Sequence, residues 1–295
     1  MRTLRAILKT MRPKQWTKNA FVFTALVFDR KLFVPDPFIK TVLAFVFFCL
    51  ASGVVYLVND LADMESDRQH PTKRFRPLAA GELSPVVAGW TAGLLGVAAL
   101  AGAFAVDMGL GLILAGYLAL QLAYSFLLKH LVIIDVMSVA AGFVLRVAAG
   151  VVVVQVERFS PWLYVCTTLL ALFIAINRRR HELTLLAENA ANHRRILNEY
   201  TVAFLDEMNS MVTAGTVIAY SLYTFSAPNL PSNHAMMLTI PFVLYGLFRY
   251  LYLVHVKGEG GAPDELILRD IPLLLTVILW TITVVLILYL FPAGG

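Results

Sequence analysis

The 295 residues are 59% hydrophobic and 15% charged, with a mean hydropathy of +0.75, an apolar share far above that of a soluble domain. This excludes a soluble globular enzyme and a disordered or low-complexity chain, and implies an all-α polytopic membrane protein. The formal charge of +5 and the two cysteines, Cys49 and Cys166 inside apolar stretches, point to no nucleic-acid partner, disulfide framework or cysteine metal site.

In chain order, residues 1–18 carry basic residues and no acidic one, with Leu4, Ile7, Leu8 and Met11 at helical spacing and Trp16 near the boundary. This pattern predicts an interfacial amphipathic helix. No small-residue cleavage site follows, so the first helix is expected to stay in the mature protein. At about 20 apolar residues per span, nine transmembrane helices are expected, at 19–35, 38–58, 84–106, 109–128, 132–156, 161–177, 205–226, 235–256 and 271–291. Asp29, Arg30 and Lys31 interrupt the first. With no repeat or linker, 19–291 reads as a single transmembrane domain and 292–295 as a tail. Most of the 24 basic residues, among them Arg68, Lys73, Arg74, Arg76, Arg178, Arg179, Arg180, Arg194 and Arg195, then fall on the side of the N-terminus, while Arg30, Lys31, Lys40 and Arg158 fall opposite. The positive-inside rule places the N-terminus, and the end of the second helix, on the cytoplasmic side of the membrane.

That end holds the most informative segment. Asn59, Asp63 and Asp67 are spaced i, i+4, i+8 and line one helix face, with Asp60 beside Asp63 at i+3. Anions so crowded call for a positive partner, most simply Mg²⁺ carrying a phosphorylated ligand. The plain alternative is a solvated helix end. Lys73, Arg74 and Arg76 follow before Gly81, suited to hold diphosphate oxygens that a metal leaves over, although flanking charge alone would also explain them. The third loop, 257–270, carries Gly258, Gly260 and Gly261.

Further along, Tyr124 and Lys129 end the fourth predicted helix, where an aromatic belt and a basic flank are the plain reading. Arg146 lies within the fifth and should point inward to a wet cavity, an anion or another helix. Asp135 is on nearly the same face but about 16 Å along the axis, too far for direct pairing. After the sixth helix stands Arg178, Arg179, Arg180, His181, Glu182, in which Glu182 is either a metal ligand or the i+4 partner of Arg178. Arg249, beside Tyr250 and Tyr252, reads as an interfacial anchor. No histidine has metal-ligand spacing, and no nucleophile elbow, Walker A or dinucleotide pattern stands in context.

Asn59, Asp63 and Asp67, at the end of a second helix with a Lys/Arg-rich stretch behind them, resemble the first aspartate-rich motif of the UbiA superfamily of membrane prenyltransferases. The resemblance implies a UbiA-like nine-helix bundle and an Mg²⁺ site of Asp60, Asp63 and Asp67 for the diphosphate of a donor. Arg12–Asn19, Asn59–Gly81, Gly142–Arg146 and Arg178–Leu183 further resemble the branch that transfers phosphoribosyl groups from 5-phosphoribosyl diphosphate to polyprenyl phosphate. By that likeness Asn59, Lys14, Lys18, Lys73, Arg74, Tyr124, Lys129, Arg146, Arg179 and Glu182 are expected to bind substrate, and the lipid product to feed cell-envelope arabinan synthesis. Aromatic prenyltransferases of the superfamily usually carry a second D-x-x-x-D motif where this chain has its arginine triplet, a change that suits a donor with an extra phosphate. An aromatic prenyltransferase and a carrier of phosphorylated lipids or anions are the alternative readings; against the carrier, no matched pair of Gly/Pro-broken helices is found. Chain length of the lipid, number of metal ions and oligomeric state are not legible.

Overall fold

A computed structural model describes residues 2–70, 72–156, 160–188, 196, 199–259 and 263–291. Arg158, Arg194, Arg195, Gly260, Gly261 and the 292–295 tail lie outside the described residues. Two compact units form, one from Met1–Leu26, Val34–Leu127 and Leu145–Gln155, the other from Val27–Phe33, Leu128–Val144 and Val156–Gly295.

In the first unit, α1 (Arg2–Met11) is followed by a 3₁₀ stretch, Pro13–Phe23. The helix expected over 1–18 therefore ends at Met11. Arg12 takes a left-handed conformation (φ 52°), and Pro13, which has no N–H to donate and a fixed φ, starts the tighter winding. Ile7 and Met11 of the apolar stripe turn inward while Leu4 and Leu8 stay exposed. The α-helical span expected over 19–35 is absent: the 3₁₀ stretch gives way to the five-residue α2 (Thr24–Phe28), and a turn with Arg30 at φ 57° follows.

Pro35 opens α3 (Pro35–Ala62), whose buried face is rich in small residues, Ala44, Ala51, Ser52 and Gly53. It packs against α5 (Pro85–Val106), which buries Ala88, Ala92, Ala99 and Ala103. Small residues let helix backbones approach closely where lipid offers no hydrophobic drive to associate. A side chain at Gly53 would collide with Met11, which seats α1 on α3. Ala6, Met11, Leu57, Leu78, Leu83 and Ala88 form one cluster, so the loop after α4 (Met64–Gln69) is tied down at Leu78 and Leu83. With α6 (Met108–Phe126) and the C-terminal part of α7 (Ile134–Val154) the unit is complete. At Gly150 any Cβ would strike the carbonyl oxygen of Val22, so α7 touches the 3₁₀ backbone there.

The second unit pairs α8 (Pro161–Glu188) with α9 (Val202–Ser226), joined by reciprocal amide hydrogen bonds between Asn177 and Asn209 at 3.0 and 3.2 Å. It adds α10 (Ile240–His255), α11 (Pro263–Arg269) and α12 (Ile271–Leu290). Phe173, Ile176, Leu205, Leu247, Leu253 and Leu273 close one core, and Phe28, Tyr223, Met236 and Leu288 belong to another.

Seven helices among the described residues are long and apolar enough to cross a membrane, against the nine expected. The two that differ are the 3₁₀ segment and α9, whose first half carries Asp206, Glu207, Asn209, Ser210 and Thr213. Outward apolar side chains such as Trp90 (71% exposed) on α5 and Leu290 (71%) on α12 are what a lipid-facing exterior requires. The protein is an integral membrane protein of helices.

Candidate functional site

The helix carrying Asn59 and Asp60 breaks at Asp63, where α3 ends and α4 begins, yet the backbone ladder runs on: Asp63 donates to the Asn59 carbonyl (2.9 Å) and Asp67 to that of Asp63 (2.8 Å). The four residues therefore stay near one face. Asp60 and Asp67 are each 2% exposed, while Asn59 and Asp63 are half-buried.

Two arginines engage the buried carboxylates. Arg76 Nη1 lies 2.6 Å from Asp67 Oδ2 and 3.2 Å from Asp60 Oδ1, bridging the pair. Arg12 Nη2 reaches Asp60 Oδ1 at 2.6 Å, with its guanidinium 4.6 Å from the centre of the Tyr56 ring. Arg76 caps the short 3₁₀ turn Lys73–Phe75, whose start is held by Thr72 and Lys73 backbone N–H groups donating to His70 Nδ1. His70 is thus a turn-former. Hard carboxylate oxygens that converge on one cation are the chemistry Mg²⁺ selects. Among the described residues, though, no three His, Cys, Asp or Glu side chains are gathered as a ligand set.

Deeper in the same unit, Arg146 points inward as a charge in a span must, and it is 6% exposed. Its Nε donates to Asn19 Oδ1 (2.7 Å) and its Nη2 to the Tyr117 hydroxyl (2.9 Å). Ser52 lies 3.2 Å from Tyr117 OH, and Asn19 Nδ2 donates to Cys49 Sγ at 3.3 Å. This network ties the 3₁₀ stretch to α3, α6 and α7.

In the second unit, Asp135 is fully buried and receives Arg179 Nε at 2.6 Å on Oδ2 and the Tyr200 hydroxyl at 2.6 Å on Oδ1. The Ile133 N–H donates to Tyr200 Oη at 2.7 Å. Burial first, and then its hydrogen bond to Asp135, push the Tyr200 hydroxyl above the ordinary tyrosine value. Glu182 is engaged by both Arg178 (3.3 Å) and Arg179, so of its two expected roles the ion pair is present. Arg180 pairs with Asp206 at 2.6 Å. Arg249 pairs with Asp270 at 2.8 Å.

The remaining expected ligands are scattered. Lys14 is exposed on the 3₁₀ stretch, Lys18 there contacts Gln15, and Lys73 is half-buried on its turn. Arg74 is exposed, its guanidinium 4.9 Å from the Phe75 ring centre. Tyr124, in the first unit, and Lys129, in the second, are both half-buried. The structure brings together Asp60 and Asp67, sets against them Arg76, one of the three cations expected beside the carboxylates, and adds Arg12, which sequence reasoning did not place there. Arg12 was visible as part of a basic amphipathic segment and of the Arg12–Asn19 likeness, with no signal that it reaches Asp60.

The profile of the UbiA prenyltransferase family matches residues 20–267. The decaprenyl-phosphate phosphoribosyltransferase of Mycobacterium tuberculosis is 36% identical over 282 residues, covering 94% of this chain and 92% of that protein. The enzyme of the same name from Corynebacterium glutamicum is 35% identical over 291 residues, 97% of this chain and 87% of its own. A solved structure, a UbiA homologue from Archaeoglobus fulgidus bound to GPP and Mg²⁺, is similar with a TM-score of 0.72 at 18% identity, covering 96% of this chain and 99% of that one.

Proposed function

This chain belongs to the UbiA prenyltransferase family, and from that membership we propose that it transfers the 5-phosphoribosyl group of 5-phosphoribosyl diphosphate to a polyprenyl phosphate. The observation that carries the reading is likeness over 94% of the chain to a relative named decaprenyl-phosphate phosphoribosyltransferase. The chemistry is consistent with it. An oxygen of the lipid phosphate bonds to C1 of the ribose as the C1–O bond to diphosphate breaks, and diphosphate leaves. The acceptor is already anionic at neutral pH, so the site needs no strong general base; it must neutralise charge and hold three anionic groups in line.

Asp60, Asp63 and Asp67 would hold Mg²⁺, which when bound supplies charge neutralisation to the leaving diphosphate. Asn59 orients the carboxylates. Arg12 and Arg76, already directed at the cluster, and Lys73 and Arg74 on the adjoining turn supply guanidinium and ammonium donors for diphosphate oxygens. Lys14, Lys18, Tyr124 and Lys129 are the proposed contacts to phosphate groups of donor and acceptor. Arg179 and Glu182 act through the arginine-rich end of α8. Arg146 contributes by fixing Asn19, and so the segment that bears Lys14 and Lys18. The distribution of basic residues supports a cytoplasmic N-terminus and active site in a bacterial inner membrane. The lipid product would serve as a precursor of arabinose donors for cell-envelope glycans.

The test is turnover by purified protein in detergent with Mg²⁺ and polyprenyl phosphate. Labelled 5-phosphoribosyl diphosphate is compared with labelled prenyl diphosphate plus an aromatic acid. Label from 5-phosphoribosyl diphosphate enters the lipid phase, and EDTA or Asp63→Ala abolishes the transfer while lipid binding persists. Label only in a prenylated aromatic product would sink the reading in favour of an aromatic prenyltransferase, and lipid binding with no turnover of either donor would favour a carrier.

A further inference from the structure

Arg76 stands between two of the carboxylates that would share a divalent cation. Its Nη1 contacts Asp67 Oδ2 at 2.6 Å and Asp60 Oδ1 at 3.2 Å, and these oxygens belong to side chains only 2–3% exposed. A divalent cation held by the two carboxylates would compete with the guanidinium for the same oxygens by contact and by like charge. We propose that Arg76 and the metal are alternative occupants of the Asp60–Asp67 pair, so that metal enters together with a diphosphate that draws Arg76 away. The inference rests on the metal-dependent reading above and specifies how that site is controlled.

Which cation moves follows from how each arginine is held. Arg12 reaches one carboxylate and packs over the Tyr56 ring, so its guanidinium is held on two sides. Arg76 is the bridging group, and it sits at the end of a three-residue turn with no ring packed against its guanidinium among the described residues. A small rotation carries its guanidinium from buried oxygens to a phosphate at the surface, the ligand its planar fork matches best. The backbone behind it does not need to shift, because Ala80 N donates to the Arg76 carbonyl (2.8 Å) and Leu83 N to that of Pro77 (3.0 Å). The charges agree. Asp63 makes no ion pair among the described residues, so with Arg12 in place and Arg76 withdrawn, three carboxylates retain the net charge that one divalent cation neutralises. With Arg76 and metal both present the cluster would be cationic. Arg76 thereby makes metal occupancy conditional on diphosphate, which keeps an exposed, unproductive metal from holding the site.

The experiment is Mn²⁺ binding followed by the loss of the free-ion EPR signal, on purified protein in nanodiscs with and without inorganic pyrophosphate, corrected for Mn²⁺–pyrophosphate in buffer. Wild-type protein binds Mn²⁺ weakly alone and at least about tenfold more tightly with pyrophosphate. Arg76→Gln binds Mn²⁺ alone about tenfold more tightly than wild type and gains little from pyrophosphate. Arg76→Lys, which keeps the charge, remains close to wild type and shows that the Gln result does not come from a misfolded site. Asp67→Asn weakens binding in every background. If Arg76→Gln binds metal no tighter than wild type while wild type still responds to pyrophosphate, the competition is overturned and the proposed function stands. If no form binds Mn²⁺ even with pyrophosphate, the metal dependence of the proposed function fails, and the competition with it.

Discussion

Each unit of the molecule buries an aspartate against an arginine, and the two arrangements differ in what else touches the carboxylate. Around Asp60 and Asp67 the partners are guanidinium groups that remain a quarter to a third exposed. Around Asp135 they are an arginine 4% exposed and a tyrosine hydroxyl whose own lone pair is taken by the Ile133 amide. The second carboxylate is closed, with every polar atom in its shell locked to another. The first is satisfied only by cations that have solvent to retreat into, which is what a site that must exchange ligands requires.

The largest expected effect separates the two. Asp135→Ala withdraws the buried counter-charge of Arg179 and should lower stability by about 3–5 kcal/mol, seen as loss of monodisperse protein or of the unfolding midpoint in SDS titration. Asp67→Asn leaves Arg76 able to reach water and Asp60, so the fold should survive while turnover falls about 10²–10³-fold. Equal destabilisation by both variants would erase the distinction between a closed and an exchangeable cluster.

The network around Arg146 tests whether the first unit also contains closed polar structure. Asn19→Ala removes the acceptor of Arg146 Nε and the donor to Cys49 and should cost about 1–3 kcal/mol. Because Asn19 belongs to the segment carrying Lys14 and Lys18, loss of donor affinity should accompany the loss of stability.

How much of this was legible in the sequence follows the reach of each interaction. The aspartates at Asn59–Asp67 are local, set by i, i+4 spacing, and the near-continuous backbone ladder across Asp63 keeps them together. The inward direction of Arg146 was legible because the bilayer penalises any other, and the i+4 pair Arg178–Glu182 because a helix dictates it. The partners of Arg146, Asp135 and Asp60 were not: they lie 127, 44 and 48 residues away, and composition does not reveal which helix faces which. The first span was misread because 3₁₀ and α-helix share similar apolar spacing over short runs, while the winding was decided by Arg12 and Pro13 and by contact with Gly150. α9 was found as an element, but its buried polar residues bond within the unit and dilute its hydropathy below that of its neighbours.

A finer test concerns the closed cluster alone. Tyr200→Phe leaves the Ile133 N–H and Asp135 Oδ1 without their hydroxyl partner and should cost about 1–3 kcal/mol. The phenol titrates above its ordinary value of 10.0 when folded, so the folded state favours the neutral form. Its contribution is fully present below the unfolded value and is lost as pH rises through the folded one. Stability of the wild type should therefore fall on the alkaline side of pH 10, and the Phe variant should lack that component of the fall.

The smallest effect belongs to the most exposed pair in this series, Arg249 with Asp270. Asp270 also caps α12, accepting from the Leu273 N–H at 2.9 Å. Asp270→Asn preserves the cap, since Asn and Asp are equivalent there, and isolates the ion pair. With Arg249 28% exposed the pair is screened, and its loss should cost little, and less at high salt. Arg249 holds the Asp270 carboxyl below the usual carboxylate range. The contribution is therefore present above the unfolded carboxylate value of about 3.9 and disappears as pH falls through the depressed folded value. A wild-type-minus-Asn difference that is small at pH 7, vanishes as pH falls through the depressed carboxyl value and shrinks with salt would place this pair opposite Asp135–Arg179. Insensitivity to salt would mean that exposure is not what separates exchangeable from closed carboxylates in this protein.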